Sequence, residues 1–225
     1  MAGNPFDPGF EDLPRVLPIF PLTGVLLLPG GRLPLNIFEP RYLAMIRDAL
    51  ATGPRLIGMV QPRVPDPDDN RGAGKADLKG ERRDIYATGC AGRIMEFAET
   101  DDGRYGVTLV GLCRFDLVEE MGDKDGYRRV LADYRKYRGD LGGAPEATVD
   151  RDRLLAAMKG YFAQQGIGLD WEAVQSTSDE RLVTSLAMTC PFGPNERQAL
   201  LEAPGTAERA AIVTALLEMS LAETG

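Results

Sequence analysis

The stretch Leu33-Pro34-Leu35-Asn36-Ile37-Phe38-Glu39-Pro40-Arg41-Tyr42 passes from one kind of structure to another, and the fold can be read outward from it. Residues 33–38 read as a short strand. Pro40 then stands where a first helical residue would be, with φ preset and no amide hydrogen to leave unbonded. Tyr42, Leu43, Ile46 and Leu50 follow at helical spacing until Gly53 and Pro54 stop the pattern, so one helix is inserted among strands. Upstream, residues 15–20 form an apolar run interrupted by Pro18 and followed by Pro21, which predicts an edge strand. Residues 1–12 carry proline, glycine and acids without apolar periodicity and read as a flexible tail.

Downstream, residues 55–61 predict a third strand, and residues 62–80 lose nearly all apolar character, as a mobile loop does. Two long β-like runs, residues 85–100 and 105–119, flank the turn signal Asp101-Asp102-Gly103 and predict a hairpin. Residues 126–137 supply one more strand. A linker at residues 139–147 follows, and from residue 148 on the period is helical. Leu154, Leu155, Met158, Tyr161 and Phe162 share one face. Ser178 and Thr206 stand where helix caps would be, and Pro194 opens a shorter helix between them. The expected fold class is α+β: a β-rich unit over residues 13–138 with one inserted helix, then a helical bundle over residues 148–225.

The chain has 225 residues, 26 Lys and Arg against 34 Asp and Glu, a formal charge of -8 and no histidine. A phosphate-backbone partner is repelled overall, and the excess of acid lies mostly beyond Pro145. Without histidine the common imidazole base of serine and cysteine hydrolases is missing, and so is the commonest neutral metal ligand. Cys90, Cys113 and Cys190 are odd in number and far apart, so they read as small buried hydrophobes and suggest no zinc site. No segment approaches the roughly 20 apolar residues of a membrane span, and the start shows no export signal, so a cytoplasmic protein is expected.

Three patterns bear on chemistry. Gly72-Ala73-Gly74-Lys75 has Asp69 and Ala76 where a phosphate-binding loop needs glycine and a hydroxyl. Tyr127-Arg128-Arg129 and Tyr134-Arg135-Lys136-Tyr137-Arg138 interleave aromatics and cations as single-strand nucleic-acid binders do, but equally as a strand charged against aggregation. Asp101-Asp102 and Glu119-Glu120 read as solvated charges at a turn and a strand end. No catalytic residue, cofactor or metal is expected.

The most specific features are Leu17-Pro18-Ile19-Phe20-Pro21-Leu22, Leu28-Pro29-Gly30, the opening stretch 33–42, residues 89–94, and Gly111-Leu112-Cys113-Arg114-Phe115. Cys190-Pro191-Phe192 and Glu196-Arg197-Gln198-Ala199-Leu200-Leu201-Glu202 follow in order. Together they resemble the N-terminal, substrate-binding domain of Lon protease, over nearly the whole chain. The resemblance implies a PUA-like β-barrel packed on a helical bundle, in a free-standing form without room for the protease's ATPase and peptidase domains. It further implies a non-catalytic module that binds unfolded or extended polypeptide segments, as an adaptor in proteolysis or quality control. An RNA-binding PUA-like module is the alternative reading, and a peptidase ranks last. The candidate contact residues are Phe38, Glu39, Arg41, Tyr42 and Arg114. Each also has a structural reading: Phe38 as a core residue, Glu39 as a helix start, Arg41 as an exposed ion pair and Arg114 as a core-edge ion pair.

Overall fold

The computed structural model describes residues 6–63, 85–142 and 148–223. The expected loop at residues 62–80 and the Gly72–Lys75 stretch fall, apart from residues 62 and 63, outside them. Six strands form one sheet: β1 (Val16–Pro21), β2 (Arg32–Ile37), β3 (Leu56–Val60), β4 (Thr88–Glu99), β5 (Tyr105–Lys124) and β6 (Tyr127–Asp133). Their order is β2-β5-β4-β3-β1-β6, and β5 pairs with β6 as well, so the sheet curls round into a barrel. The 20-residue β5 makes this possible: its first part pairs with β2 and its last part with β6, while β4 runs along its other edge. Register shifts after Ala91, Ile94, Leu117 and Met121 add the local twist that such curvature needs. The expected hairpin is present, and Gly103 takes the positive φ of 81° that its turn requires.

β1 is not an edge strand, contrary to the expectation from its prolines. It pairs antiparallel to β6 over Val16 to Ile19 and parallel to β3 over Ile19 to Pro21. Each proline therefore lies where only one neighbour runs alongside, and its missing amide faces the other side. At the true edge, β2 pairs with β5 alone among the described residues and carries Pro34 without loss. β6 is also shorter than expected. It ends at Asp133, and Arg135–Tyr137 form a 3-10 turn.

Helix α1 (Pro40–Ala51) begins at Pro40 and buries Tyr42, Met45, Ile46 and Ala49. The expected linker opens with a helical turn, α2 (Gly139–Gly142). The bundle follows as α3 (Arg151–Gln164), α4 (Trp171–Ser176), α5 (Asp179–Thr189), α6 (Pro194–Glu202) and α7 (Thr206–Glu223). Asp150 and Asp170 cap α3 and α4 by accepting backbone N–H bonds. α4 was not expected, because six residues hold too little of the helical period to be recognised. No helix among the described residues is long and apolar enough to cross a membrane.

Two apolar clusters hold the molecule. One, including Leu17, Ile19, Val130 and Phe115, lies among the strands. The other runs from Ile37, Leu109 and the loop residues Leu26, Leu27 and Leu28 through α1 into Leu154, Met158, Val183, Leu200 and Leu217 of the bundle. Barrel and bundle therefore share buried surface. Gly111 lies so close to Leu28 that an added Cβ would strike the Leu28 carbonyl, which explains a glycine in mid-strand. Residues 6–12, expected to be loose, are tied down: Asp7 pairs with Arg93 at 2.8 Å and Glu11 with Arg138 at 2.7 Å.

Candidate functional site

Residues that pair directly across neighbouring strands project from the same face of a sheet. Leu35 of β2, Val107 of β5 and Phe97 of β4 form one such row, and Ile37, Tyr105 and Glu99 form the next. Val107 and Ile37 are buried in the shared core. Towards the hairpin turn the cover runs out, and Phe97 is 39% exposed. Its ring lies edge-on to Tyr105, with centroids 4.9 Å apart. Phe38, one residue past the end of β2, is 62% exposed, with the Arg104 guanidinium 5.8 Å from its ring centre. Phe97, with the half-buried Leu35 and Tyr105 on the same face, and Phe38 at the end of β2 thus make an apolar ledge at this end of the sheet, where the outer edge of β2 has no partner strand among the described residues.

Of the residues expected from sequence, Phe38 alone is an exposed apolar group. Glu39 is the N-cap of α1, and its carboxylate takes the Arg41 guanidinium at 2.7 Å; both are about half exposed. Arg41 also lies over the Tyr42 ring, 4.6 Å from its centre. Tyr42 is buried, with its ring centroid 4.2 Å from that of Phe20 on β1, and burial raises its phenol pKa. We expect Tyr42→Ala to cost about 3–5 kcal/mol by opening a core cavity, whereas Arg41→Ala should cost less than about 1 kcal/mol. Thermal melting of the two variants checks both values.

Arg114 sits elsewhere, midway along β5 and only 5% exposed. Its Nε and Nη2 donate to the two oxygens of Asp140 on α2 at 2.9 and 2.8 Å. Nη1 donates to the Leu201 and Ala203 carbonyls at 3.1 and 2.6 Å, and Nη2 also reaches Pro204 at 3.4 Å. The five N–H groups of a guanidinium are thereby all engaged. Burial opposes its charge, but the bonds and charge of Asp140 outweigh that and hold its pKa above the ordinary value. Arg114 consequently ties a barrel strand to α2 and to the carbonyl end of α6, which a cation suits. No N–H is left for a ligand, so the geometry replaces the expected contact role with a structural one.

The aromatic-cationic segment is also accounted for internally. Tyr127, Tyr134 and Tyr137 are buried, and their hydroxyls donate to Asp48, the Pro14 carbonyl and Asp116. Arg128 pairs with Glu120, Arg135 with Asp133 and Arg138 with Glu11. The stacking faces that a single-strand binder would present are covered. All three cysteines are buried, and burial raises their thiols, Cys113 to about 12 and Cys190 to about 11. Such thiols are poor nucleophiles at neutral pH.

Comparison with known proteins gives one consistent result. The family model of the ATP-dependent protease La (LON) substrate-binding domain matches residues 16–219. Lon protease 2 of Myxococcus xanthus is 36% identical over 109 residues, which is 48% of this chain but 12% of that protein. Lon protease of Dictyoglomus thermophilum is 24% identical over 94% of this chain and 25% of its own length. Among solved structures, a Lon N-terminal domain protein from Xanthomonas campestris superposes with a TM-score of 0.59 at 21% identity, covering 89% of this chain and 97% of that one. The N-terminal domain of Mycobacterium avium complex Lon protease gives 0.58 at 13% identity, covering 90% and 98%.

Proposed function

The chain belongs to the ATP-dependent protease La (LON) substrate-binding domain family, and from that premise we propose that it is a non-catalytic module for unfolded or extended polypeptide segments. The observation that carries this reading is the ledge of exposed Phe38 and Phe97, with half-buried Leu35 and Tyr105, at the end of the sheet where the outer edge of β2 is unpaired among the described residues. Exposed aromatics grouped at one end of a sheet favour apolar side chains, and an unpaired strand edge favours extended backbone. A folded client offers neither.

Glu39, Arg41 and Arg104 form the polar rim of that ledge and orient the client, and Arg114 acts through the fold alone. The matched relatives are whole proteases of which this chain corresponds to a quarter or less, so its service as an adaptor to a protease is part of the proposal. Fluorescence titration should show casein binding that folded proteins compete for poorly. Affinity should change little between low and physiological salt, because apolar burial is not screened. Lack of casein binding would end this reading, and a steeply salt-dependent affinity for structured RNA would favour the other.

A further inference from the structure

A cleft of about 530 Å³ is lined by the 3-10 turn after β6, α2, α5 and the start of α7, with Arg114 in its wall. Its polar lining is incompletely satisfied. Thr184 on α5 and Thr206 at the start of α7 are 9% and 7% exposed, and neither hydroxyl makes a hydrogen bond among the described residues. Arg209, 7% exposed, donates Nε to the Leu200 carbonyl at 2.9 Å and Nη2 to that of Ala203 at 3.5 Å. Its Nη1 has no partner among the described residues, and no carboxylate pairs with it. Lys136 stands exposed at the mouth, with its ammonium 5.0 Å from the Tyr137 ring centre.

None of these atoms is both solvent-excluded and unpartnered, so they are open to the cleft, where water or a ligand can take their bonds. The groups open to the cleft are Arg209 Nη1 and the two hydroxyls, while Lys136 at the mouth is already bonded to Tyr137. The amides of Thr206, Ala207 and Glu208 add to them, since the first intrahelical bond of α7 is from the Arg209 amide to the Gly205 carbonyl. Asp140, also in the lining, is consumed by Arg114. Burial and the neighbouring Arg114 lower the Arg209 pKa to about 10 against the opposing charges of Asp140 and Glu180, so it remains a cation at neutral pH, with no ion pair of its own among the described residues. Glu180 and Glu208, exposed at the margin, oppose a polyanion or an extended phosphate chain.

We propose that this cleft binds a small oxyanion, a carboxylate or a phosphate, through Arg209, Thr184 and Thr206, with Lys136 closing the mouth. Calorimetric titration of the full chain with inorganic phosphate, and with a short peptide bearing a free or an amidated C-terminus, tests it against chloride at equal ionic strength. Saturable binding of phosphate or of the free-acid peptide is expected, and which of the two binds identifies the source of the oxyanion. Thr184→Val should weaken that binding about tenfold while leaving the ligand-free melting temperature in place. Lys136→Gln, at an exposed position on the cleft mouth, should weaken it in the same direction and serves if Thr184→Val folds poorly. No saturable binding of either oxyanion, or binding unaltered in both folded variants, would overturn the site.

Discussion

Replacing Arg114 with methionine is expected to lower stability by about 3–5 kcal/mol, because it removes one partner of a buried ion pair and leaves the other unpaired. The side chains of Arg114 and Asp140 are 6% and 10% exposed, so little water can take over the lost bonds. The Leu201 and Ala203 carbonyls at the end of α6 lose their donor as well, although Ala203 keeps a longer bond from Arg209. For a chain of this size the melting temperature should fall on the order of 10 °C. Arg114→Lys should recover only part, since an ammonium cannot reproduce a fork that engages a carboxylate and three carbonyls. Removing both partners, with Arg114→Met and Asp140→Leu together, should cost less than the sum of the single changes. A single variant that melts within about 2 °C of the parent would show that Arg114 is not the joint between barrel and bundle.

The sequence disclosed architecture better than surface. The period change at Pro40 located α1, and Asp101-Asp102-Gly103 located the hairpin, because both signals are local and chemical. β1 was misjudged because a proline reports a missing neighbour on one side at one residue, whereas the strand changes neighbours midway. The basic segment after Tyr134 read as strand because alternating tyrosines and cations resemble period 2, yet a 3-10 turn buries the same tyrosines. Arg114 could be noticed but not assigned, since its partners lie 26 and about 90 residues away.

Phe97 and Tyr105 were missed for a related reason. Apolar alternation tells which side chains share a face, and it does not tell where along that face the cover ends. The available clue was that Met95, Phe97 and Tyr105 remain apolar or aromatic close to a charged turn, where a solvated hairpin tip would carry polar groups. Phe38 could be named because it stands where the strand pattern of residues 33–38 gives way to the helix start at Pro40.

The ledge leads to the prediction with the greatest effect on function. Phe38→Ser and Phe97→Ser should each weaken casein binding about tenfold, and the double variant more, because exposed aromatic anchors dominate such contacts. Phe38 is 62% exposed and buries little on folding, so its variant should melt with the parent. Phe97 is 39% exposed and loses its Tyr105 contact, which should cost about 0.5–1.5 kcal/mol. Met219→Ser is a suitable control, since Met219 is 56% exposed on α7, away from the β4–β5 hairpin. A general loss of surface stickiness would affect all three variants alike, whereas a specific ledge spares Met219→Ser. Arg104→Ala should alter the association rate and its salt dependence more than the affinity, as rim charges do. Unchanged binding in the Phe38/Phe97 double variant would move the client site off this ledge. A loss shared equally by Met219→Ser would reduce the ledge to ordinary exposed apolar surface.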